Sequence, residues 1–310
     1  MDILLILSIA LAIDLVLGEP PRIIHPVVGM GKVTSFLAAR SVGNRPLAQF
    51  IYGAGITLVT IGLFTVPAYF ILLHLKSLSL AAYVVVGAML LKSTFSLKEL
   101  RRVALGVKRL LLKEELDEAR LELHSLVSRD TQGLPQPLLV SATVESVAEN
   151  TGDSFVAPLF YFLLFGVPGA IAYRVVNTMD AMIGYHGKYE YLGKFATKLD
   201  DGLNFIPARL SALLLVLAAF LSRRDARNSW QTALGSHSRT ESPNAGWPMA
   251  AVAGALNVQL EKKEHYKLGK AGAPLVPETI DASLRLTQIA GLGWALICFI
   301  VGVVYFVYTT

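Results

Sequence analysis

The sequence predicts an all-α, polytopic helical membrane protein with broken or re-entrant helices and a cytoplasmic amphipathic helical arm. Three observations predict it. The 310 residues are 54% hydrophobic and only 16% charged, against about 25% charged in an ordinary soluble domain. The mean hydropathy is +0.53. Several apolar runs approach or exceed the roughly 20 residues a helix needs to cross a bilayer, and dense polar clusters flank them, the heaviest between Glu145 and Arg209.

The single cysteine, Cys298, lies in an apolar run and excludes a disulfide framework. The formal charge is +5. In a membrane chain that excess reports loop orientation, and no nucleic-acid-reading motif accompanies it, so nucleic acid is not an expected partner.

Residues 3–17 are apolar except for Ser8 and Asp14. They lack a basic n-region and a small-residue cleavage site, so they read as a short first helix rather than a signal peptide. Asp14 within it is a functional suspect, because acids at membrane depth are costly. The next stretch, GEPPRIIHP, carries Pro20, Pro21 and Pro26, which favour a rigid extended turn from which Glu19, Arg22 and His25 project. GMGKVT after it is not a phosphate loop: Pro26 stands where the first Gly belongs and Val33 replaces Ser/Thr.

Residues 50–75 and 78–91 form a helical hairpin with a turn near Lys76–Ser79. Residues 92–140 are a cytoplasmic arm inserted in a single membrane-embedded domain, 1–310. Within it Leu97, Leu100, Ala104, Val107 and Leu111 keep helical period between charges, which suits a helix on the membrane surface, and its Lys and Arg place it in the cytoplasm. Asp130 or Thr131 would cap a helix, or Arg129 and Asp130 would act as a site pair.

Residues 154–173 are apolar but hold Pro158, Gly166, Pro168 and Gly169. That is the composition of a broken helix, tolerated at membrane depth where it lines a cavity. A re-entrant pair would return the polar sequence before it and the polar sequence after it to one face of the bilayer. Residues 205–221 form a further apolar run, 222–246 are polar and basic, and 247–261 are rich in Ala and Gly, suited to close packing. Residues 261–285 read as a surface segment and 288–308 as the last span.

Chemistry concentrates in three stripes. Glu145, Glu149 and Asp153 are spaced i, i+4, i+8, which puts three carboxylates on one helical face, and a cation among them would relieve their repulsion. Arg174, Asn177 and Asp180 follow at i, i+3, i+6. Asp200, Asp201 and Asn204 make the third. The histidines lack zinc-site spacing. Carboxylates and amides with arginines suit Mg²⁺ held by one or two carboxylates plus substrate phosphates, with Arg clamping anionic oxygens. Two classes remain open on these residues: an enzyme acting on a phosphorylated substrate at the membrane face, and a transporter.

Many short motifs in series resemble one family. They are Asp14 with Gly18-Glu19-Pro20-Pro21 and His25-Pro26-Val27; Arg129-Asp130-Thr131; Glu145-Ser146-Val147-Ala148-Glu149-Asn150-Thr151; Asp153; Ala157-Pro158-Leu159-Phe160-Tyr161; Tyr173-Arg174 with Asn177-Thr178-Met179-Asp180; Asp200-Asp201 with Asn204 and Pro207-Ala208-Arg209; and Ser242-Pro243-Asn244-Ala245-Gly246-Trp247-Pro248. Together they resemble the CobD/CbiB family, the adenosylcobinamide-phosphate synthases of cobalamin biosynthesis. Met249 stands where some members carry an acid, and neither it nor Glu241 is assigned chemistry.

The resemblance implies an ATP-dependent amide ligase in the cell membrane, with its active site on the cytoplasmic face. Adenosylcobyric acid, a corrinoid, would be joined to aminopropanol phosphate or a related amino alcohol, with ATP and Mg²⁺ required. It implies catalytic roles for Glu145, Glu149, Asp153, Asp180 and Asp201, the first three also as Mg²⁺ ligands. Substrate and phosphate contacts would come from Asp14, Glu19, His25, Arg129, Asp130, Asn150, Arg174, Asn177, Asn204, Arg209, Ser242 and Asn244. A transporter, or a regulatory sensor of a related family, is the alternative; a sensor would not need this full set of acids and amides. Neither residues nor resemblance fix the oligomeric state.

Overall fold

The computed structural model describes residues 2–21, 25–40, 45–127, 130–185, 187 and 189–309. In chain order the helices begin with α1 (Asp2–Val16), α2 (Pro26–Ala38), α3 (Pro46–Leu78), α4 (Leu80–Lys92), α5 (Leu97–Leu112), α6 (Leu116–Leu123) and α7 (Gln136–Thr151). A π-helical turn, Gly152–Val156, leads into α8 (Ala157–Ile183), followed by α9 (Lys194–Leu203), α10 (Phe205–Leu221), α11 (Ala226–Ser236) and α12 (Gly246–Leu256). Strands β1 (Gln259–Lys262) and β2 (Tyr266–Gly269) precede the long α13 (Glu278–Thr309). The chain divides into two compact units, Met1–Ser96 with Ala157–Asn204 and Cys298–Thr310, and Leu97–Val156 with Phe205–Ile297.

Five helical stretches are long and apolar enough to cross a membrane: Pro46–Leu78, Leu80–Leu112, Gln136–Ile183, Lys194–Leu221 and Glu278–Tyr308. α3 shows why such a chain needs lipid. Leu58, Leu63, Val66, Phe70 and Ile71 are all at least half exposed on it, and a patch of that size marks contact with an apolar environment. The architecture is that of a multi-pass membrane protein.

In the first unit α1 packs on α4 through Ile6, Leu7 and Ala10. The expected α3–α4 hairpin is present. Ser79 ends α3, and its Oγ accepts from Ala82 N at 3.3 Å to start α4, a serine N-cap. The expected break in 154–173 falls at Gly166, whose φ of 68° and ψ of −164° lie in a region essentially restricted to glycine.

The break reverses the chain. Twelve residues of straight helix would set Tyr161 and Tyr173 about 18 Å apart, yet their rings stack with centroids 5.3 Å apart and planes 13° from parallel. The two arms touch so closely that a Cβ on Gly169 would meet Tyr161 O at 2.6 Å. Pro168 sits in the first turn of the second arm, where a missing N–H costs nothing. α8 is therefore a helical hairpin.

The second unit differs from the sequence reading in five places. The apolar stripe of α5 is covered by protein rather than by a membrane surface: Leu100, Val103, Ala104, Val107 and Leu111 are buried, and α5 packs on α6 and α7. Asp130 caps a turn rather than a helix, its Oδ1 accepting from Gln132 N at 2.9 Å. The acidic stripe keeps its i, i+4 register only from Glu145 to Glu149. From Gly152 the backbone is π-helical, so the wider turn rotates Asp153 off that line. The segment expected as plain surface contains the β1–β2 hairpin, antiparallel, with buried Leu260 opposite buried Leu268, and α13 starts ten residues ahead of the expected span. The Ala/Gly run is a short buried helix, α12, which packs against α7, α10 and α11. Asn228 Nδ2 donates to Gly254 O at 2.7 Å and Ser229 Oγ to Ala251 O at 2.8 Å, contacts that small side chains on α12 permit.

Gly166→Val is expected to lower stability by about 1–3 kcal/mol, the cost of holding a branched residue in a glycine-only conformation. Thermal unfolding in detergent checks it, with Gly55→Ala as control, since nothing lies within 4 Å of a Cβ there.

Candidate active site

Four polar clusters occupy otherwise apolar surroundings, two in each unit.

In the first unit, Asp14 of α1 and Lys92 at the end of α4 are both buried. Lys92 Nζ lies 3.2 Å from Asp14 Oδ1 and donates to Glu19 Oε1 at 2.7 Å and to Phe95 O at 3.1 Å. The other Glu19 oxygen is 2.6 Å from His25 Nε2. His25 is the N-cap of α2, its Nδ1 accepting from Val27 N at 3.2 Å. With Nδ1 committed as acceptor, Nε2 carries the proton and donates to Glu19. Burial pushes the Glu19 carboxyl up, but the hydrogen bonds from His25 and Lys92 outweigh it and hold the group down at about 2.

The second cluster gathers where α8 meets α9. Asp200 Oδ2 accepts from Asn204 Nδ2 at 2.9 Å, and its Oδ1 from Asn177 Nδ2 at 3.4 Å. Asn177 Oδ1 accepts from Arg174 Nη1 at 3.3 Å. The hairpin supplies two further ties to the end of α9: Tyr173 donates to Asn204 Oδ1 at 2.8 Å and Tyr161 to Leu203 O at 2.9 Å. Asp180 and Asp201 lie within electrostatic reach of Asp200. The expected Arg174–Asn177–Asp180 stripe and the Asp200–Asn204 stripe thus come together. Of the adjacent acids, Asp200 is the buried centre of the network, while Asp201 pairs with the exposed Lys198 at 3.1 Å.

In the second unit Glu145 is buried with both oxygens engaged. Ser141 Oγ donates to Oε1 at 2.6 Å and Tyr266 Oη to Oε2 at 2.8 Å. Ser141 Oγ also accepts from Glu261 N at 2.7 Å, so Glu145 joins α7 to the β1–β2 hairpin. Glu149, Asn150 and Asp153 are half-buried, and Asn150 Oδ1 accepts from Ser154 Oγ at 2.8 Å across the start of the π-turn. Among the described residues no three His, Cys, Asp or Glu side chains converge as a ready metal cage.

The fourth cluster surrounds Arg209 of α10. Its guanidinium lies 3.6 Å over the Phe205 ring and 5.0 Å from the Trp247 ring centroid. Nη1 donates to Phe205 O at 2.7 Å and to Asn244 Oδ1 at 3.3 Å. Asn244 is buried, and its N–H is held by Ser242 Oγ at 3.2 Å. Trp247 in turn stacks on His237 at 3.9 Å. A planar cation held over one ring and near a second is restricted in direction, as recognition of a carboxylate or phosphate requires.

Asp130, in its turn, makes no bond to these clusters. Arg22 and Arg129 lie outside the described residues. Sequence reasoning missed Lys92, Tyr173, Ser141, Tyr266 and Trp247. Lys92 left a signal, a lysine closing an apolar helix, and Tyr173 and Trp247 stand within the quoted motifs. Ser141 and Tyr266 gave none, because their partners are more than 100 residues away or only a helical turn from an ordinary serine.

Comparison with known proteins identifies the family and the extent of the match. The family model described as CobD/Cbib protein matches residues 7–291. The cobalamin biosynthesis protein CobD of Dehalococcoides mccartyi is 54% identical over 306 residues, covering 99% of each chain. A probable cobalamin biosynthesis protein CobD of Pyrococcus furiosus is 45% identical over 84% of this chain and 86% of its own. One from Methanothermobacter thermautotrophicus is 40% identical over 92% and 93%. No solved structure matches the chain.

The lowered Glu19 carboxyl sets a pH dependence. A depressed carboxylate binds fewer protons folded than unfolded, so its stabilisation is complete above the ordinary value of 4.5 and is lost as pH falls towards about 2. Melting temperature measured from pH 6 to about pH 2.5 should fall in that window for the wild type, and Glu19→Gln should remove part of the fall. An identical profile for the variant would contradict the network.

Proposed function

The chain belongs to the CobD/CbiB family of cobalamin biosynthesis proteins, and on that premise we propose that it is a membrane-embedded, ATP-dependent amide ligase. It joins the free carboxylate of adenosylcobyric acid to the amine of aminopropanol phosphate, or of a related amino alcohol, and releases adenosylcobinamide phosphate. The observation that carries this reading is the Asp200–Asn177–Asn204–Tyr173 network with Arg174. Asp200, Asn204 and Tyr173 are buried in it and Asn177 and Arg174 half-buried, polar groups inside an apolar unit that are costly unless they have work to perform.

A carboxylate is a poor acyl donor, so its oxygen first attacks the terminal phosphorus of ATP and ADP departs. The amine then attacks the acyl carbon of the resulting acyl phosphate, the C–O bond breaks, and inorganic phosphate leaves. The ammonium proton passes to a carboxylate of the protein, for which Asp180 and Asp200 are the candidates. Arg209, oriented by Phe205, Trp247 and Asn244, binds phosphate oxygens. Arg174 and Asn177 hold anionic and amide groups of the substrates.

Mg²⁺ supplies charge neutralisation to the transferring phosphoryl group. An ion that arrives with the nucleotide needs only one or two protein carboxylates, and Glu149, half-buried near the end of α7, is the acid that would hold it. Glu145, with both oxygens bonded to Ser141 and Tyr266, positions the β1–β2 hairpin. In the bilayer the α8 hairpin is re-entrant, returning the Arg174–Asp180 row to the side from which it left. The basic 222–240 stretch lies in the cytoplasm by the positive-inside bias.

Purified protein in detergent, given adenosylcobyric acid, Mg-ATP and aminopropanol phosphate, should yield a corrinoid heavier by the added amine residue in mass spectrometry. No mass gain with folded protein, across several amino alcohols and their phosphates, would overturn the ligase and favour a transporter. Glu149→Gln should lower turnover by about 10² or more, typical for a group stabilising transferring charge, and weaken the dependence on Mg-ATP. Glu118→Gln, on the exposed side of α6, should leave both unchanged. Unchanged kinetics in folded Glu149→Gln would remove that acid from the mechanism.

A further inference from the structure

A cavity of about 300 Å³ lies outside all four clusters, lined by Ser222, Arg223, Arg224, Ala282, Arg285 and Leu286. Three guanidinium side chains and one hydroxyl face it from the end of α10 and the second turn of α13. Among the described residues none of the three arginines is ion-paired. The nearest acids along the chain are already engaged: Asp225 caps α11 through Asn228 N, and Asp281 is paired with Lys108. Ser222 Oγ is buried and has no hydrogen-bond partner. A buried hydroxyl without a partner is uncommon and points to an absent one.

Arginines flanking a span often only snorkel to the interface. Two features separate this group from that case. Arg223 has φ 55°, in the left-handed region where glycine or asparagine usually ends a helix. A bulky residue is held there at a cost, which argues for its side chain. The orphaned Ser222 hydroxyl adds a donor beside the arginines, and donors converging with cations suit a tetrahedral anion.

We propose that this cavity is a binding site for a phosphate monoester group, separate from the proposed catalytic machinery. The guanidinium groups of Arg223, Arg224 and Arg285 neutralise the dianion, and Ser222 donates to one of its oxygens. The location fits two carriers of that group. Exposed Phe220 and Leu221 end α10 immediately before the cavity, and exposed Leu292 begins the apolar face of α13 two turns beyond Arg285, so a lipid headgroup would meet it at the polar edge of the spans. A phosphorylated small molecule would enter from water.

The test is thermal unfolding of delipidated protein in detergent, titrated separately with inorganic phosphate, dihexanoyl phosphatidic acid and dihexanoyl phosphatidylcholine. Wild type should be stabilised by at least one of the first two and not by phosphatidylcholine. Stabilisation by inorganic phosphate assigns the group to a free phosphorylated molecule; stabilisation by phosphatidic acid alone assigns it to lipid. Arg223→Gly keeps the backbone conformation without its strain and should be at least as stable as wild type, while apparent affinity falls about tenfold or more, the loss expected for a charge-assisted hydrogen bond. Arg285→Gln should lose affinity similarly, and Arg227→Gln, outside the cavity, should not. No stabilisation by either phosphate ligand, equal stabilisation by phosphatidylcholine, or undiminished affinity in Arg223→Gly and Arg285→Gln would each overturn the site.

Discussion

The chain reversal at Gly166 is the constraint on which the first unit depends. A side chain there would meet a conformation that only glycine adopts readily, and without the reversal α8 would run on as one helix. Because it reverses, Tyr161 and Tyr173 stack, and each hydroxyl reaches the end of α9. Those bonds fix Asn204, which in turn fixes Asp200, and Asp200 orders Asn177 and through it Arg174. One backbone conformation therefore sets the direction of a row of polar side chains that apolar surroundings would otherwise leave costly and disordered.

The same logic holds where charges are buried elsewhere. Lys92 is acceptable in its apolar setting because Asp14, Glu19 and a carbonyl surround it. Removing one partner of such a group leaves an uncompensated charge, worth about 3–5 kcal/mol. Glu145 is satisfied by two hydroxyls. Buried groups held by several bonds are rigid, and rigid donors and acceptors can align reacting groups before any bond changes.

Much of this was legible in the sequence. Gly166, Pro168 and Gly169 in an apolar run marked the break, Ser79 the hairpin turn, and the Ala/Gly run of α12 its close packing. Polar residues at helical spacing gave Arg174, Asn177 and Asn204. What sequence periodicity could not deliver were bonds between distant segments, such as Tyr266 to Glu145, and small changes of register. The π-turn at Gly152 moves Asp153 off the acidic line, and it is Asp200, not its neighbour Asp201, that bonds Asn204, a difference of facing that spacing alone does not show. The β1–β2 hairpin was missed because four-residue strands carry too little alternation to stand out from a charged loop.

The most direct measurement of the central claim is a thiol cross-link across the reversal. In a Cys298→Ala background, Tyr161→Cys and Tyr173→Cys are combined and treated with a short bifunctional thiol reagent, and the intramolecular link is read by mass spectrometry of peptides. The stacked arms predict an efficient link in the membrane-embedded protein. Failure to link, with both thiols shown to react singly, would mean that 157–183 runs as a continuous helix, about 18 Å between these positions, and would contradict the account.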